Sequence, residues 1–327
     1  WLMAFTSATH DIAADGYYML ALSPNEQALF VGIRSTFYRF ATIFGQGVLV
    51  MVAGNLQTLF RYSIPFSWSL VFYGVAGLFI ALWLWHGYVL PRPAEDAPTT
   101  TRTVSDIVSD LRNNIVTFFT KKQIVVAIVF MLFYRMPEGL LAKVAALFLV
   151  DAAHNGGLGL SPQEYGMVQG TVGAIGLTIG GILGGICVSR DGLKRWLWPM
   201  VCAITLPDVV YVYMSYALPN FIIINCCVFV EQFGYGFGFT AYMMYLIYFC
   251  RGQYKTSHYA LCTGFMALPG TVAGALQELV GYRMFFIIVM ATCAATFIVT
   301  SLLKIDPQFG IKETKEEAAG EDTTDNG

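Results

Sequence analysis

The sequence predicts an all-α, polytopic membrane protein, and three features carry that prediction. Of the 327 residues, 56% are hydrophobic and only 12% charged, a balance far too apolar for a soluble domain of this length. The apolar residues gather into nine stretches, 2–21, 32–54, 67–90, 123–150, 163–188, 195–214, 220–249, 257–280 and 281–303. Each is long enough to cross a hydrocarbon core of about 30 Å at about 1.5 Å per residue. Threaded alternately through a membrane, they sort fourteen of the 19 Lys and Arg to one side, leave Arg61 and Arg283 on the other, and keep Arg39, Arg135 and Lys143 within spans. The positive-inside rule makes the rich side cytoplasmic, so the first helix runs inward and the C-terminus is expected inside.

Charges within the apolar stretches point to function, because each costs about 3 kcal/mol at the bilayer centre unless it faces a polar interior. The first stretch places Asp11 and Asp15 four residues apart on one helical face, with Tyr18 continuing the stripe a turn later. Two carboxylates so close in a low dielectric do not both ionise comfortably, so one is a candidate proton carrier. The alternative is that they pair with Arg34 or Arg39 of the second stretch and only hold the bundle.

After the third stretch, Pro91, Pro93 and Pro98 rule out a continuing helix, and residues 91–122 form the linker between two unequal halves. Its second part sets Val104, Ile107, Val108, Leu111, Ile115, Phe118 and Phe119 at three and four spacing, the pattern of an amphipathic helix lying on the inner membrane surface. The fourth stretch carries Arg135 and Glu138 around Pro137, with Lys143 further out. Arg135 offers a planar fork suited to a carboxylate or phosphate, and Pro137 should free a backbone carbonyl nearby. A local Arg135–Glu138 pair is the structural alternative.

The inner end of the fifth stretch reads GGILGGICVSRDGLKRW, in which Gly185, Arg190, Asp191, Gly192, Lys194 and Arg195 form a tight charged turn. Such glycines let helices approach, and the charges suit helix ends. The sixth stretch holds Asp208 after Pro207, expected to pair with a basic side chain. The seventh carries Glu231 and Gln232 ahead of Gly234, Gly236 and Gly238, with Tyr235, Tyr242, Tyr245 and Tyr248 as packing or path-lining groups. The seven cysteines lie in or beside apolar spans without CxxC spacing, so no disulfide framework, metal or cofactor is expected. The tail 304–327 is polar and expected to be disordered.

The domain pattern is therefore three spanning helices (1–90), the linker (91–122) and a six-helix domain (123–303). Transporters built from six-helix halves suggest that 1–90 is the second part of a first half, with upstream helices missing from this chain. The charged first, fourth and seventh stretches then become the fourth, seventh and tenth helices.

The segment GGICVSRDGLKR resembles the inner-loop gating motif of the major facilitator superfamily. Within it, ATHDIAADGYY, YRMPEGL with LFLVD, and CRGQYKTSHYALCTGF resemble segments of the AmpG-type permeases. The resemblance implies a major facilitator bundle in a bacterial inner membrane, importing anhydro-muropeptides from cell-wall turnover with protons. It would act as a monomer, without nucleic acid, with lipids, protons and the solute as partners. Asp11, Asp15, Arg135 and Glu138 match its polar intramembrane positions, and Glu231, Arg39 and Tyr18 join them as cavity candidates. His10 and Gly16 stand where glutamine and alanine are usual, which leaves room for another anionic or sugar solute, including an acetyl-CoA-like one. A transporter-like sensor is a further alternative. An intramembrane enzyme would need a motif such as HExxH or GxSxG, and the sequence contains neither.

Overall fold

The structure, a computed structural model, describes residues 1–93, 103–252 and 254–311. Every regular element among them is helical: α1 (Leu2–Ala21), α2 (Pro24–Ile43), a π-helical turn (Phe44–Val48), α3 (Leu49–Thr58), α4 (Ile64–Val89), α5 (Val104–Phe119) and α6 (Ile124–Val150) come first. A short 3-10 turn (Ala153–Asn155) leads to α7 (Pro162–Tyr165), which continues through π-helical Gly166–Gly173 into α8 (Ala174–Asp191). Then follow α9 (Leu193–Thr205), a 3-10 turn (Leu206–Asp208), α10 (Val209–Ala217), α11 (Phe221–Phe249) and α12 (Lys255–Ala267). A 3-10 turn (Leu268–Val272) joins α12 to α13 (Ala273–Ser301).

Among the described residues, six helical segments have the length and composition to cross a membrane, including Ile124–Val150, Gln163–Asp191, Leu193–Ala217 and Phe221–Phe249. Lys255–Ser301 contains the last two predicted spans, separated where Gly281 adopts φ 72°. The first two predicted spans are helical too, but their polar side chains keep them below that apolar threshold.

The chain divides into two compact units. One comprises Thr36–Pro98, where α3 packs beside α4. There α4 buries only Ser67 and Val71, and large residues such as Trp83, Trp85 and Tyr88 stay exposed. An apolar surface of that size is suited to lipid or to other helices.

The other unit, Trp1–Ser35 with Thr99–Gly327, contains the main core. Its centre is α11, flanked by α8 and α9, while α13 packs along α6 and α12 touches α1. The α8–α11 approach needs small residues: a Cβ on Gly180 or Gly236 would overlap the carbonyl of Phe233 or Leu177 across the interface. Helix α5 starts with a capping box, in which Thr103 and Asp106 satisfy each other's backbone N–H groups. It buries Phe118 but leaves Val108, Leu111, Ile115 and Phe119 exposed, as an interfacial helix would.

At the end of the chain, Ile305 and Phe309 pack into the core next to α9 and α11. The predicted unstructured tail therefore has an ordered beginning at 304–311, because two apolar side chains spaced four apart find a buried seat there. Residues 312–327 lie outside the described residues, as does residue 253.

The core of this unit comes in two apolar clusters. One contains Phe130, Met131 and Tyr134 of α6, Leu197 and Ile204 of α9, residues 241–247 of α11, and Val299 of α13. The other contains Leu140, Leu141 and Phe148 of α6, Tyr211 and Met214 of α10, Ile224 and Val228 of α11, and Phe285, Phe286 and Val289 of α13. Between the clusters, ionisable, amide and hydroxyl side chains interrupt the apolar sequence, Arg135 and Glu138 on α6, Glu231 and Gln232 on α11 and Thr296 on α13.

Candidate functional site

That polar layer is built from four places in the chain. From α6 come Arg135 and Glu138, from the 3-10 turn before α10 comes Asp208, from α11 come Glu231 and Gln232, and from α13 come Cys293 and Thr296. Glu138, Asp208 and Glu231 are each no more than 3% exposed, and the three carboxyl groups lie within electrostatic reach of one another. The sequence predicted Glu138 and Glu231 as cavity residues but assigned Asp208 to a salt bridge with a base. Asp208 instead meets no Lys or Arg among the described residues, and its side-chain contact is the Cys293 thiol at 3.9 Å.

Prolines explain how such polar groups are tolerated at this level. Pro137 lacks an N–H, so the carbonyl of Phe133 four residues earlier loses its helical partner. Thr296 from α13, fully buried, donates its hydroxyl to that oxygen at 3.0 Å. The predicted freed carbonyl exists, and a neighbouring helix satisfies it. Pro207 similarly leaves the carbonyl of Ala203 without a helical donor, and Gly234 of α11 packs directly against it.

Arg135 is held by aromatic side chains of α11. Its Nη2 donates to the Tyr235 hydroxyl at 3.2 Å, and its guanidinium lies 5.3 Å from the Tyr235 ring centroid and 5.6 Å from that of Phe239. Its Nη1 is buried with no acceptor among the described residues. Glu138 is within electrostatic reach of it. Among the tyrosines, the Tyr242 hydroxyl donates to the Met131 carbonyl at 3.0 Å, and Tyr134 donates to Gly238 at 2.8 Å, so these two are packing groups. Next to them, Glu231 accepts from Gln232 Nε2 at 3.0 Å and from the Tyr211 hydroxyl at 3.4 Å.

The first-helix candidates behave differently from each other. Asp15 is buried and ion-paired to Arg34 Nη2, whereas Asp11 is exposed. Arg34 on α2 pairs with the inner of the two, and Asp11 stays within electrostatic reach of Asp15. The Arg34 guanidinium also lies 5.3 Å from the Tyr18 ring centroid, and the Tyr18 hydroxyl donates to the Gln27 carbonyl. Arg39 lies on α2, but its side chain is outside the described residues.

The α8–α9 turn is a clasp. Asn25 at the start of α2 donates to the carbonyls of Ser189, at 2.6 Å, and Gly310, at 3.0 Å. Gly185 faces the carbonyl of Ala28, which an added Cβ would meet at 2.6 Å. Gly192 turns with φ 82°, a left-handed backbone that only glycine adopts without strain, and Leu193 N–H donates to Phe309 O at 3.0 Å. Asp191 accepts from Trp196 Nε1 at 2.9 Å and from Arg195 at 3.4 Å, while Arg190 and Lys194 point to solvent. Sequence reasoning missed Asn25: an asparagine in a polar turn gives no signal of its partners 164 and 285 residues away.

Span-length apolar helices enclosing a buried layer of ionisable side chains define a multi-pass membrane protein of the transporter kind. No family model matches the chain. Individual relatives are more particular. A Rickettsia conorii protein bearing the name transporter AmpG 4 is 23% identical over 293 residues, 88% of this chain and 67% of the relative. The Rickettsia felis protein of the same name is 23% identical over 310 residues, 92% of this chain and 71% of the relative. The anhydromuropeptide permease of Escherichia coli is 22% identical over 294 residues, 89% of this chain. The chain is a homologue of the AmpG-type permeases, and it spans only 56% of the length of the Escherichia coli protein.

Proposed function

We propose that the protein is a secondary active transporter of a bacterial inner membrane, with its C-terminus in the cytoplasm, that imports an anhydro-muropeptide or a related sugar-peptide with protons. The observation that carries this reading is Arg135. A guanidinium costly to bury is fixed by Tyr235 and two rings, yet keeps a buried Nη1 without an acceptor, which suits an anionic ligand group. The residues from α1 and α2 act as an inner latch, and Glu138, Asp208 and Glu231 supply the protonatable groups for coupling. Transport follows alternating access, with the latch at the α8–α9 turn closing one side.

Uptake of a radiolabelled anhydromuropeptide into proteoliposomes tests the reading. A pH gradient should raise accumulation, and equal uptake with and without it removes the coupling. Arg135→Ala should weaken binding by the roughly 1.5–3 kcal/mol of a charge-assisted hydrogen bond, about tenfold or more in Kd. Unchanged affinity removes Arg135 from the ligand site.

A further inference from the structure

Building on the proton-coupled reading above, we propose that Asp208 is the principal proton-holding group of this transporter, working with Glu138 and Glu231 in the polar layer between the two apolar clusters.

Position comes first. The layer draws on α6, the Pro207–Asp208 break, α11 and α13, so a change of protonation there is felt by four packed helices at once. Asp208 lies in a discontinuous helix between the clusters, the kind of element that carries coupling sites in transporters.

The second observation is an unspent side chain. Asp208 occupies the N-cap position of α10, where a carboxylate ordinarily accepts from the helix's first N–H groups, yet it makes no such bond. Its side chain is turned instead into the layer, 2% exposed, with Oδ1 lacking any partner. An ionised carboxylate left thus would be desolvated and uncompensated, whereas a carboxylic acid there is neutral.

Third, the surroundings are acidic. The titratable or charged groups facing Asp208 and its neighbours are Glu138 with Arg135 behind it on α6, Tyr211 on α10, Glu231 on α11, and Cys293 on α13. Arg135 is the one cation in that set, and its electrostatic partner there is Glu138, not Asp208. Three carboxyls share one dry layer with one cation, so a proton there belongs to the group as much as to one residue.

Coupling then follows. With Asp208 protonated, Glu138 is the carboxyl that Arg135 compensates, and an anionic ligand can bind at the unoccupied Nη1. Asp208 Oδ1, which has no competing bond, carries that proton across with the ligand. Its release to the cytoplasmic side restores a negative charge to the layer, which displaces the anionic ligand from Arg135. Asp15 differs in facing a base directly, through its ion pair with Arg34.

The test uses the full chain in liposomes with a labelled anhydromuropeptide, alongside infrared difference spectra that report protonated carboxyl groups without any ligand. A gradient of one pH unit coupled to one proton supports about tenfold accumulation. Asp208→Asn should abolish that accumulation, keep counterflow exchange within about twofold, and remove one protonated-carboxyl band. Asp208→Glu should restore accumulation. Intact accumulation with the band retained in Asp208→Asn overturns the proposal, as does an equal loss of exchange and accumulation in folded protein, which marks a structural role. If Asp208→Asn does not fold, Cys293→Ala carries the measurement: the band should titrate at a shifted pH, and an unshifted band overturns the assignment. A wild-type protein indifferent to the pH gradient sinks the coupling reading itself, whereas the Asp208 dependence of the infrared band stands or falls separately.

Discussion

The two buried ionic regions of the main unit solve the same problem in opposite ways. Where α1 meets α2, one acid meets one base: Asp15 is ion-paired to Arg34, and the half-exposed guanidinium also covers the Tyr18 ring. In the layer between the apolar clusters, three acids face a single arginine that is anchored to a tyrosine and keeps a nitrogen unused. In the first arrangement one base balances one acid, although Arg34 Nη1, like Arg135 Nη1, is buried without a hydrogen-bond partner among the described residues. In the second the acids outnumber the base, and burying that imbalance costs free energy that a ligand or a proton can offset. Charge balance thus separates a latch from a working site, although both are charges in apolar helices.

The sharpest way to break this contrast is to remove one partner of the balanced pair. Arg34→Ala leaves the Asp15 carboxylate buried alone, which for a fully buried pair costs roughly 3–5 kcal/mol. Because Arg34 is 37% exposed, water screens part of this, and the lower end of that range is expected. Thermal unfolding in detergent checks it. The double change Arg34→Gln with Asp15→Asn should recover most of the loss, whereas a double variant as unstable as Arg34→Ala would mean that packing, not charge, holds the α1–α2 contact.

A smaller effect probes the frame of the working layer. Thr296→Val keeps the side-chain volume but leaves the Phe133 carbonyl, already deprived of its helical donor by Pro137, with no partner. Such a buried orphan costs about 1–3 kcal/mol. If Thr296→Val unfolds at the wild-type temperature, the hydroxyl is not the donor that makes Pro137 tolerable.

Much of this was legible in the chain. Helices and their order follow from hydropathy, prolines and glycines, and Arg135, Glu138 and Glu231 are visible because each is a charge in an otherwise apolar stretch. Partner choice is what sequence could not supply. Asp11 and Asp15 are equivalent by periodicity, yet only the one facing Arg34 is buried. Asp208 in an apolar stretch reads as the partner of a basic side chain, and only the fold, by setting it near Glu138 and Glu231, reveals its neighbours. Thr296 and Asn25 are ordinary polar residues whose roles depend on carbonyls more than 150 residues away in sequence.

The finest test separates how Arg135 is held from what it holds. Tyr235→Phe removes the hydroxyl that accepts from Nη2 while keeping a ring under the guanidinium. A hydrogen bond to a charged group contributes about 1.5–3 kcal/mol, but the freed Nη2 can find water or ligand, so a loss near 1 kcal/mol or about fivefold in ligand affinity is expected. Stability should hardly change, since the cation–π contacts with positions 235 and 239 remain. Equilibrium binding of the labelled muropeptide reads the first quantity and thermal unfolding the second. A variant that loses stability but binds normally would place Tyr235 with the latch residues, as part of the frame, and would erase the distinction between a charge-balanced pair and an arginine kept ready for a ligand.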